Sequence, residues 1–274
     1  MNCALENIDV NYEVYGEGRP IVLLHGYWAD HRVIKSPLEP LFAQRAGWQR
    51  YYPDLPGMGH TPSKPWIKNS DHMLDVVSEF ISKVIPETKF VIGGYSYGGY
   101  LARGVISRFP DLVEGLLQIC PVVIGTIQKR TRPQKNILIQ DSELLAALSP
   151  TEVEVFEGWV AVQSREIYER VREEVDPGSR LADEPFLTQL QQNDYSFSFD
   201  VDEVIGEFRK PALFLAGRQD WVVGYRDSWD IHQRFPRATY AVLDRAGHAL
   251  PFVQEGLFNQ LVLEWLDRVE EHSQ

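Results

Sequence analysis

The chain has 274 residues, 44% hydrophobic and 24% charged, a balance typical of a globular protein with one large α/β domain or two small ones. Its formal net charge of −12 at pH 7 disfavours nucleic acid and anionic membranes as partners, because both bind basic surfaces. The two cysteines, Cys3 and Cys120, suggest neither a disulfide framework nor a zinc site, and we expect no cofactor and no metal.

The N-terminal residues and the apolar runs of the chain indicate its expected cellular location. The N-terminal residues include acidic side chains and no apolar signal core, and no apolar run approaches the length of a membrane span. A cytoplasmic location is therefore expected, with no membrane partner. The sequence leaves the oligomeric state open.

Strands and helices are predicted to alternate over the first 121 residues. The predicted strands cover residues 7–15, 21–24, 48–52, 90–92 and 113–119. The predicted helices cover residues 33–44, 70–85 and 100–109, the second of them capped by Ser70 or Asp71. Such alternation indicates a mostly parallel sheet with helices on both faces, in which ligands bind beyond the carboxyl ends of the strands.

The pattern changes after Pro121. No buried strand is evident between residues 122 and 208. Helices are predicted there at 142–148, 151–175 and 185–192, with Pro150 and Pro177 as breaks. The alternation then resumes with a strand at 211–216, a helix at 225–235, a strand at 239–243 and a closing helix at 253–269. We therefore predict an α/β core domain made of residues 1–121 and 209–274, with a helical cap inserted at 122–208.

The stretch Phe90–Gly99, with the sequence FVIGGYSYGG, has the layout of a nucleophile elbow: a strand, a tight turn and a helix. Ser96 lies at the tip of the turn. Gly94 and Gly98 lie two residues before and after it, where a β-carbon would crowd the turn. The helix that follows directs free N–H groups at any oxyanion formed there, and the backbone N–H of Tyr97 is one such donor. The sequence thus predicts that Ser96 is a nucleophile.

A serine hydroxyl needs a base and a group that orients the base. Among the seven histidines, His248 lies in a loop after the last predicted strand and is the predicted base. Asp220 comes directly after the strand at 211–216 and is the predicted orienting acid. Asp244, which ends the strand before His248, is its best competitor.

Five motifs in order resemble those of the capped α/β-hydrolases. They are HGYW at 25–28, DLPGMG at 54–59, GYSYGG at 94–99, GRQD at 217–220 and AGH at 246–248. The resemblance covers nearly the whole chain and implies the α/β-hydrolase fold, a mostly parallel eight-stranded sheet with helices on both faces. It also implies a second oxyanion donor in the loop after His25, at Tyr27 or at Trp28. In some relatives the acid follows the preceding strand, where this chain has Cys120, which favours Asp220.

The predicted activity is that of a serine hydrolase working through an acyl-enzyme on a small or medium apolar carboxylic ester. A serine nucleophile argues against haloalkane dehalogenases and epoxide hydrolases, which use a carboxylate. Proline iminopeptidases usually have Trp where this chain has Tyr97, and C–C hydrolases of meta-cleavage products often have Trp where it has Ala249. Alternatives are an aminopeptidase, a C–C hydrolase, a haloperoxidase-like or lyase activity without cofactor, and a non-catalytic ligand receptor on the same scaffold.

The substrate pocket is predicted from large apolar residues near the triad and in the cap. The candidates are Trp28, Trp159, Trp221 and Leu250. In this scheme His248 takes the proton of Ser96 during attack on a carbonyl carbon, and Asp220 holds the imidazole. Because the imidazole must be neutral to act, kcat/KM is expected to fall below about pH 6 to 7.

Overall fold

The structure, a computed structural model, describes residues 1–193 and 195–272. Within these ranges one eight-stranded sheet has the strand order β1-β2-β4-β3-β5-β6-β7-β8. The strands are β1 (Asn2–Ala4), β2 (Asp9–Tyr15), β3 (Arg19–Leu24), β4 (Trp48–Pro53), β5 (Phe90–Tyr95), β6 (Val113–Ile119), β7 (Ala212–Gly217) and β8 (Ala238–Leu243). The pairs β1–β2 and β2–β4 are antiparallel, and the pairs from β4 through β3 to β8 are parallel. The predicted mostly parallel sheet is confirmed.

Helices connect the parallel strands. They are α1 (Arg32–Phe42), α2 (Ser70–Val84), α3 (Tyr97–Arg108), α4 (Ser142–Ala147), α5 (Pro150–Trp159), α6 (Arg165–Glu174), α7 (Asp176–Leu181), α8 (Glu184–Asn193), α9 (Val201–Ile205), α10 (Arg226–Ile231), α11 (Leu250–Val253) and α12 (Glu255–His272). Short 3₁₀ turns cover Ile127–Lys129 and His232–Arg234. None of the helices in the described ranges combines the length and the apolar character needed to cross a membrane.

The central strands carry the core. Every residue of β5, β6 and β7 is buried, as expected for parallel strands covered on both faces. Because these strands and their parallel neighbours β3 and β8 point the same way, the loops after all five leave the same edge of the sheet. The predicted catalytic residues, which follow these strands in the sequence, therefore lie along that edge.

The helix predicted at 151–175 is wrong as a single element. The structure has α5 and α6 there, separated by buried, non-helical residues 160–163. The N–H of Leu138 donates to the carbonyl of Ala161 over 2.7 Å, and that of Gln163 donates to the carbonyl of Ile139 over 2.9 Å. On the other side of the same stretch, the N–H of Ala249 donates to the carbonyl of Trp159 over 3.0 Å. These tertiary hydrogen bonds replace the helical ones and outweigh local propensity.

Other boundaries also differ from the prediction. The α2 helix is capped by Asn69, whose side chain accepts from the N–H of His72 over 2.9 Å, and not by Ser70 or Asp71. Pro177, predicted as a break, lies in the first turn of α7, where its missing N–H costs nothing. We refer below to residues 122–208, which lie between β6 and β7, as the β6–β7 segment.

Candidate active site

Ser96 lies in the turn between β5 and α3 with φ 55° and ψ −115°. A positive φ is rare for a residue other than glycine and marks local strain. A β-carbon on Gly94 would lie 2.2 Å from the backbone of Gly98, and one on Gly98 would lie 2.1 Å from the carbonyl oxygen of Leu24. Both positions therefore require glycine, and the strand, tight turn and helix predicted around Ser96 are present.

His248 and Asp220 form a buried pair in which Nδ1 and Oδ2 are 2.8 Å apart. The second oxygen of Asp220, Oδ1, accepts from the N–H groups of Val222 at 2.9 Å and Val223 at 3.0 Å. These bonds fix the carboxylate. Because an ionised carboxylate can only accept, Nδ1 of His248 is the donor, which leaves Nε2 to accept a proton.

Tyr95 links this pair to the elbow. Its hydroxyl donates to the carbonyl of His248, and its ring centroid lies 5.4 Å from that of the imidazole. Tyr95 immediately precedes Ser96, so the structure brings the predicted nucleophile, base and acid to one edge of the sheet. The competing acid, Asp244, is exposed, and its carboxylate accepts from the side chain of Gln219.

The loop after β3, which carries Tyr27 and Trp28, lies against the turn of Ser96. A β-carbon on Gly26 would lie 3.2 Å from Cβ of Ser96, so the loop after β3 passes directly over the elbow. Within the described ranges, the N–H groups of Tyr27, Trp28 and Tyr97 donate to no protein acceptor. Unpaired, preorganised N–H groups next to a nucleophile can stabilise a negative oxygen.

His25 holds this loop in place. Its Nε2 accepts from the N–H of Leu55 over 2.9 Å, so Nδ1 is protonated and donates to the carbonyl of Gly26 over 2.7 Å. Complete burial lowers the pKa of His25, which keeps the imidazole neutral and this pattern intact. His25 thus shapes the loop that carries Tyr27 and Trp28.

Trp159 is the pocket candidate that contacts the predicted base. Its ring centroid lies 5.2 Å from that of the His248 imidazole, with the ring planes at 63°. The same indole stacks on Tyr95, with centroids 6.4 Å apart. Trp159 therefore belongs to the surroundings of His248.

The remaining pocket candidates, Trp221, Trp28 and Leu250, have different settings. Trp221 is half-buried directly after Asp220, and Nζ of Lys135 lies 5.9 Å from its ring centroid. Trp28 is half-buried, with φ 61°. Leu250 is completely buried and forms part of the hydrophobic core.

Similarity to known proteins agrees with this geometry. The model of the alpha/beta hydrolase family matches residues 21–261. The chain belongs to the alpha/beta hydrolase family. The family identified from the sequence motifs is thus confirmed, and the chain is a hydrolase.

Two curated relatives of this alpha/beta hydrolase carry the name pimeloyl-[acyl-carrier protein] methyl ester esterase. The one from Legionella pneumophila (strain Corby) is 24% identical over 267 residues, covering 90% of this chain and 94% of that protein. The one from Vibrio parahaemolyticus is 26% identical over 252 residues, covering 90% and 93%. Among solved structures, an alpha/beta superfamily hydrolase from Oenococcus oeni PSU-1 matches with a TM-score of 0.88 and 27% identity, over 98% of this chain and 99% of that one.

Cys120, to which the sequence assigned no role, is a neighbour of the hydrogen-bonded pair of His248 and Asp220 in this hydrolase. Its Sγ lies within 4.8 Å of a carboxylate oxygen of Asp220 and of a ring nitrogen of His248. It also lies 3.9 Å from the carbonyl oxygen of Gly247. Burial, reinforced by the charge of Asp220, raises the pKa of the thiol well above its usual range.

Proposed function

We propose that this hydrolase cleaves carboxylic esters through an acyl-enzyme, with Ser96 as nucleophile, His248 as base and Asp220 as the orienting acid. The observation that carries the proposal is the buried 2.8 Å hydrogen bond between His248 Nδ1 and Asp220 Oδ2 beside the strained turn of Ser96. A polarised imidazole next to a serine at a strand–helix turn is the arrangement that activates a hydroxyl near neutral pH.

In the proposed reaction, Nε2 of His248 takes the proton of Ser96 as Oγ attacks the carbonyl carbon. The carbonyl oxygen becomes negative and accepts from the N–H groups of Tyr97 and Tyr27. The imidazolium then protonates the departing alcohol, which leaves an acyl group on Ser96. Water attacks this ester while His248 takes its proton, and the acid leaves as the serine recovers its hydrogen. Asp220 stabilises the imidazolium in both steps.

The proposed substrate class is a carboxylic ester with a small or medium apolar acyl group. The curated relatives are named as methyl ester esterases, which supports ester cleavage. The indole of Trp159 next to His248 adds an apolar surface beside the proposed site.

We also propose that the β6–β7 segment, residues 122–208, is a cap on a core made of residues 1–121 and 209–274. Two contacts support this division. Trp159 of the segment lies against His248, and the carbonyl of Leu187 accepts from the hydroxyl of Tyr27 over 2.8 Å.

The test combines a covalent probe with a substrate panel. We expect a fluorophosphonate to form one adduct, at Ser96, and p-nitrophenyl and methyl esters of increasing acyl length to be hydrolysed. Ser96→Ala should abolish both, lowering kcat by about 10⁶-fold, as loss of the nucleophile does in enzymes of this mechanism. Absence of an adduct in the wild type would favour the ligand receptor, and activity that survives Ser96→Ala would contradict the mechanism.

Two further substrates separate the alternatives that use the same triad. Hydrolysis of proline p-nitroanilide tests for an aminopeptidase. Cleavage of a meta-cleavage product, which is a dienoate that also carries a ketone, tests for a C–C hydrolase. Preference for either over every ester in kcat/KM would replace the ester proposal and keep the triad.

A further inference from the structure

The two residues whose N–H groups are proposed to bind the oxyanion also have buried phenol side chains. The hydroxyl of Tyr27 donates to the carbonyl of Leu187, in α8 of the β6–β7 segment, over 2.8 Å. This bond ties the loop after β3 to the segment. The N–H of Tyr27 itself makes no hydrogen bond within the described ranges.

Tyr97 is tied to the same segment through Ser70. The Oγ of Ser70 lies 2.7 Å from the hydroxyl of Tyr97 and 2.7 Å from the carbonyl oxygen of Tyr195. A carbonyl can only accept, so Ser70 gives its single proton to Tyr195 and accepts from Tyr97. The result is a buried chain that runs from Tyr97 through Ser70 to Tyr195.

The three tyrosine rings pack on one another. The centroid of Tyr195 lies 4.7 Å from that of Tyr97 and 5.0 Å from that of Tyr27, and the latter two are 5.0 Å apart. We call these three residues the tyrosine cluster. Burial raises the pKa of Tyr27 and that of Tyr97 far above their usual range, so both hydroxyls remain protonated donors.

We propose that Leu187 and Tyr195 of the β6–β7 segment hold the two oxyanion donors in place, so that docking of this part of the segment completes the oxyanion hole. The inference rests on the proposed function. Oxyanion donors act only when they lie about 2.7–3.1 Å from the developing charge, so a small displacement of either N–H reduces their effect. Tyr27, Tyr97, Ser70 and Tyr195 are on this view positioning residues, acting through side chains that fix the backbone.

A simpler role, in which these bonds merely stabilise the fold, makes a different prediction for a neighbouring tyrosine. The hydroxyl of Tyr100 accepts from the N–H of Phe197 over 2.8 Å, and the two rings stack with centroids 4.2 Å apart. Tyr100 therefore anchors the same segment with a bond of similar length. It carries no proposed oxyanion donor, which makes Tyr100→Phe the matched control.

The experiment compares Tyr27→Phe, Ser70→Ala and Tyr100→Phe with the wild type. For each we measure kcat and KM on a p-nitrophenyl ester, the inhibition constant of an alkylboronic acid that forms a tetrahedral anion on serine, and thermal unfolding. We expect Tyr27→Phe and Ser70→Ala to lower kcat and boronate affinity by about 10-fold each with KM unchanged, the signature of an interaction made in the transition state. Tyr100→Phe should leave kcat and boronate affinity unchanged even if its unfolding temperature falls.

Equal losses of boronate affinity in all three variants would overturn the inference, since they would show general loosening of the segment. Wild-type kcat and boronate affinity in Tyr27→Phe and Ser70→Ala would overturn it as well. In both cases the wild type still forms its fluorophosphonate adduct at Ser96, so the proposed function stands. Failure of the wild type to form that adduct would instead contradict the proposed function.

Discussion

The indole of Trp159, the last residue of α5, lies edge-on against the imidazole of His248, with ring centroids 5.2 Å apart. The N–H of Ala249, next to His248, also donates to the carbonyl of Trp159 over 3.0 Å. One residue of the β6–β7 segment thus supports both the side chain and the loop of the proposed base. This contact gives the segment a direct influence on the orientation of the imidazole.

Replacement of this indole is expected to reduce catalysis. Trp159→Ala removes an aromatic contact worth about 0.5–1.5 kcal/mol and frees the His248 ring to rotate, so we expect kcat/KM to fall by about 10-fold. Trp159→Phe should retain most of the activity. The matched control is Trp229→Ala, which removes an exposed indole stacked on His232 with centroids 3.9 Å apart and should leave ester kinetics unchanged. Wild-type kinetics in Trp159→Ala would show that the contact does not orient the base.

The acid is tested by substitution of Asp220. Asp220→Asn keeps the shape but replaces an acceptor with an amide, which favours the wrong imidazole tautomer. By analogy with the same change in serine proteases, we expect kcat to fall by about 10⁴-fold. Asp244→Asn, on the exposed competitor, should change kcat less than about twofold. The reverse ranking in a steady-state ester assay would assign the acid to Asp244.

The elbow glycines are expected to be intolerant of a side chain. In Gly98→Ala the new β-carbon would lie 2.1 Å from the carbonyl oxygen of Leu24, so the turn must shift. We expect the free energy of unfolding to fall by about 3 kcal/mol and kcat/KM by about 100-fold.

A glycine in open surroundings provides the comparison for this change. Gly256 lies at the start of α12, and a β-carbon added there would meet open space, with no heavy atom within 4 Å beyond its chain neighbours and the backbone of its own helix. Gly256→Ala should therefore leave activity unchanged and raise stability by up to about 1 kcal/mol. Urea denaturation of the two variants measures both effects. Equal stability of Gly98→Ala and the wild type would show that the turn can relax.

A buried ion pair outside the proposed triad predicts a pH-dependent stability. Nδ1 of His31 lies 2.8 Å from Oδ1 of Asp54, and its Nε2 lies 3.3 Å from Oε1 of Glu13. Burial by itself would lower the pKa of His31, but the hydrogen bond and charge of Asp54 outweigh it, and the pKa is raised. The pKa of Asp54 is lowered, because the bond to His31, together with nearby charges and the N–H of His60, outweighs the effect of burial.

The two shifts define the pH range in which the pair stabilises the fold. The contribution of His31 is fully present below its unfolded pKa of about 6.5 and is lost as pH rises through the folded value. That of Asp54 is present above about pH 3.9 and is lost as pH falls through its folded value. The difference in unfolding free energy between the wild type and His31→Asn should therefore be larger at pH 6 than at pH 9.

Urea denaturation at pH 6, 7.5 and 9 measures this difference. His60→Asn, which replaces an exposed imidazole by the same side chain, is measured at the same three pH values as the control. A difference for His31→Asn that does not shrink between pH 6 and pH 9 would show that the folded pKa of His31 is not raised through a bond to Asp54.

The sequence by itself determined the sheet and the elements of the site that follow its strands. Short apolar runs predict buried parallel strands, and Gly94 and Gly98 around Ser96 predict a turn that no other residue type fits. The closeness of Asp220 and His248 was also predictable, although the two residues are 28 positions apart in the sequence. The carboxyl ends of parallel strands meet at one edge, so residues that directly follow two such strands are brought close together.

The tertiary structure alone decided how the β6–β7 segment reaches the site. The pattern at 151–175 is helical throughout, but residues 160–163 leave the helix because their backbone bonds to residues 138–139 and the segment contacts the loop of His248. Likewise, the sequence predicts that the N–H groups of Tyr27 and Tyr97 bind an oxyanion. It does not predict which groups accept hydrogen bonds from the hydroxyls of these two residues. Local periodicity records which face of an element is buried. It carries no information about which distant carbonyl, such as that of Leu187 or Tyr195, will lie opposite a buried donor once the chain has folded.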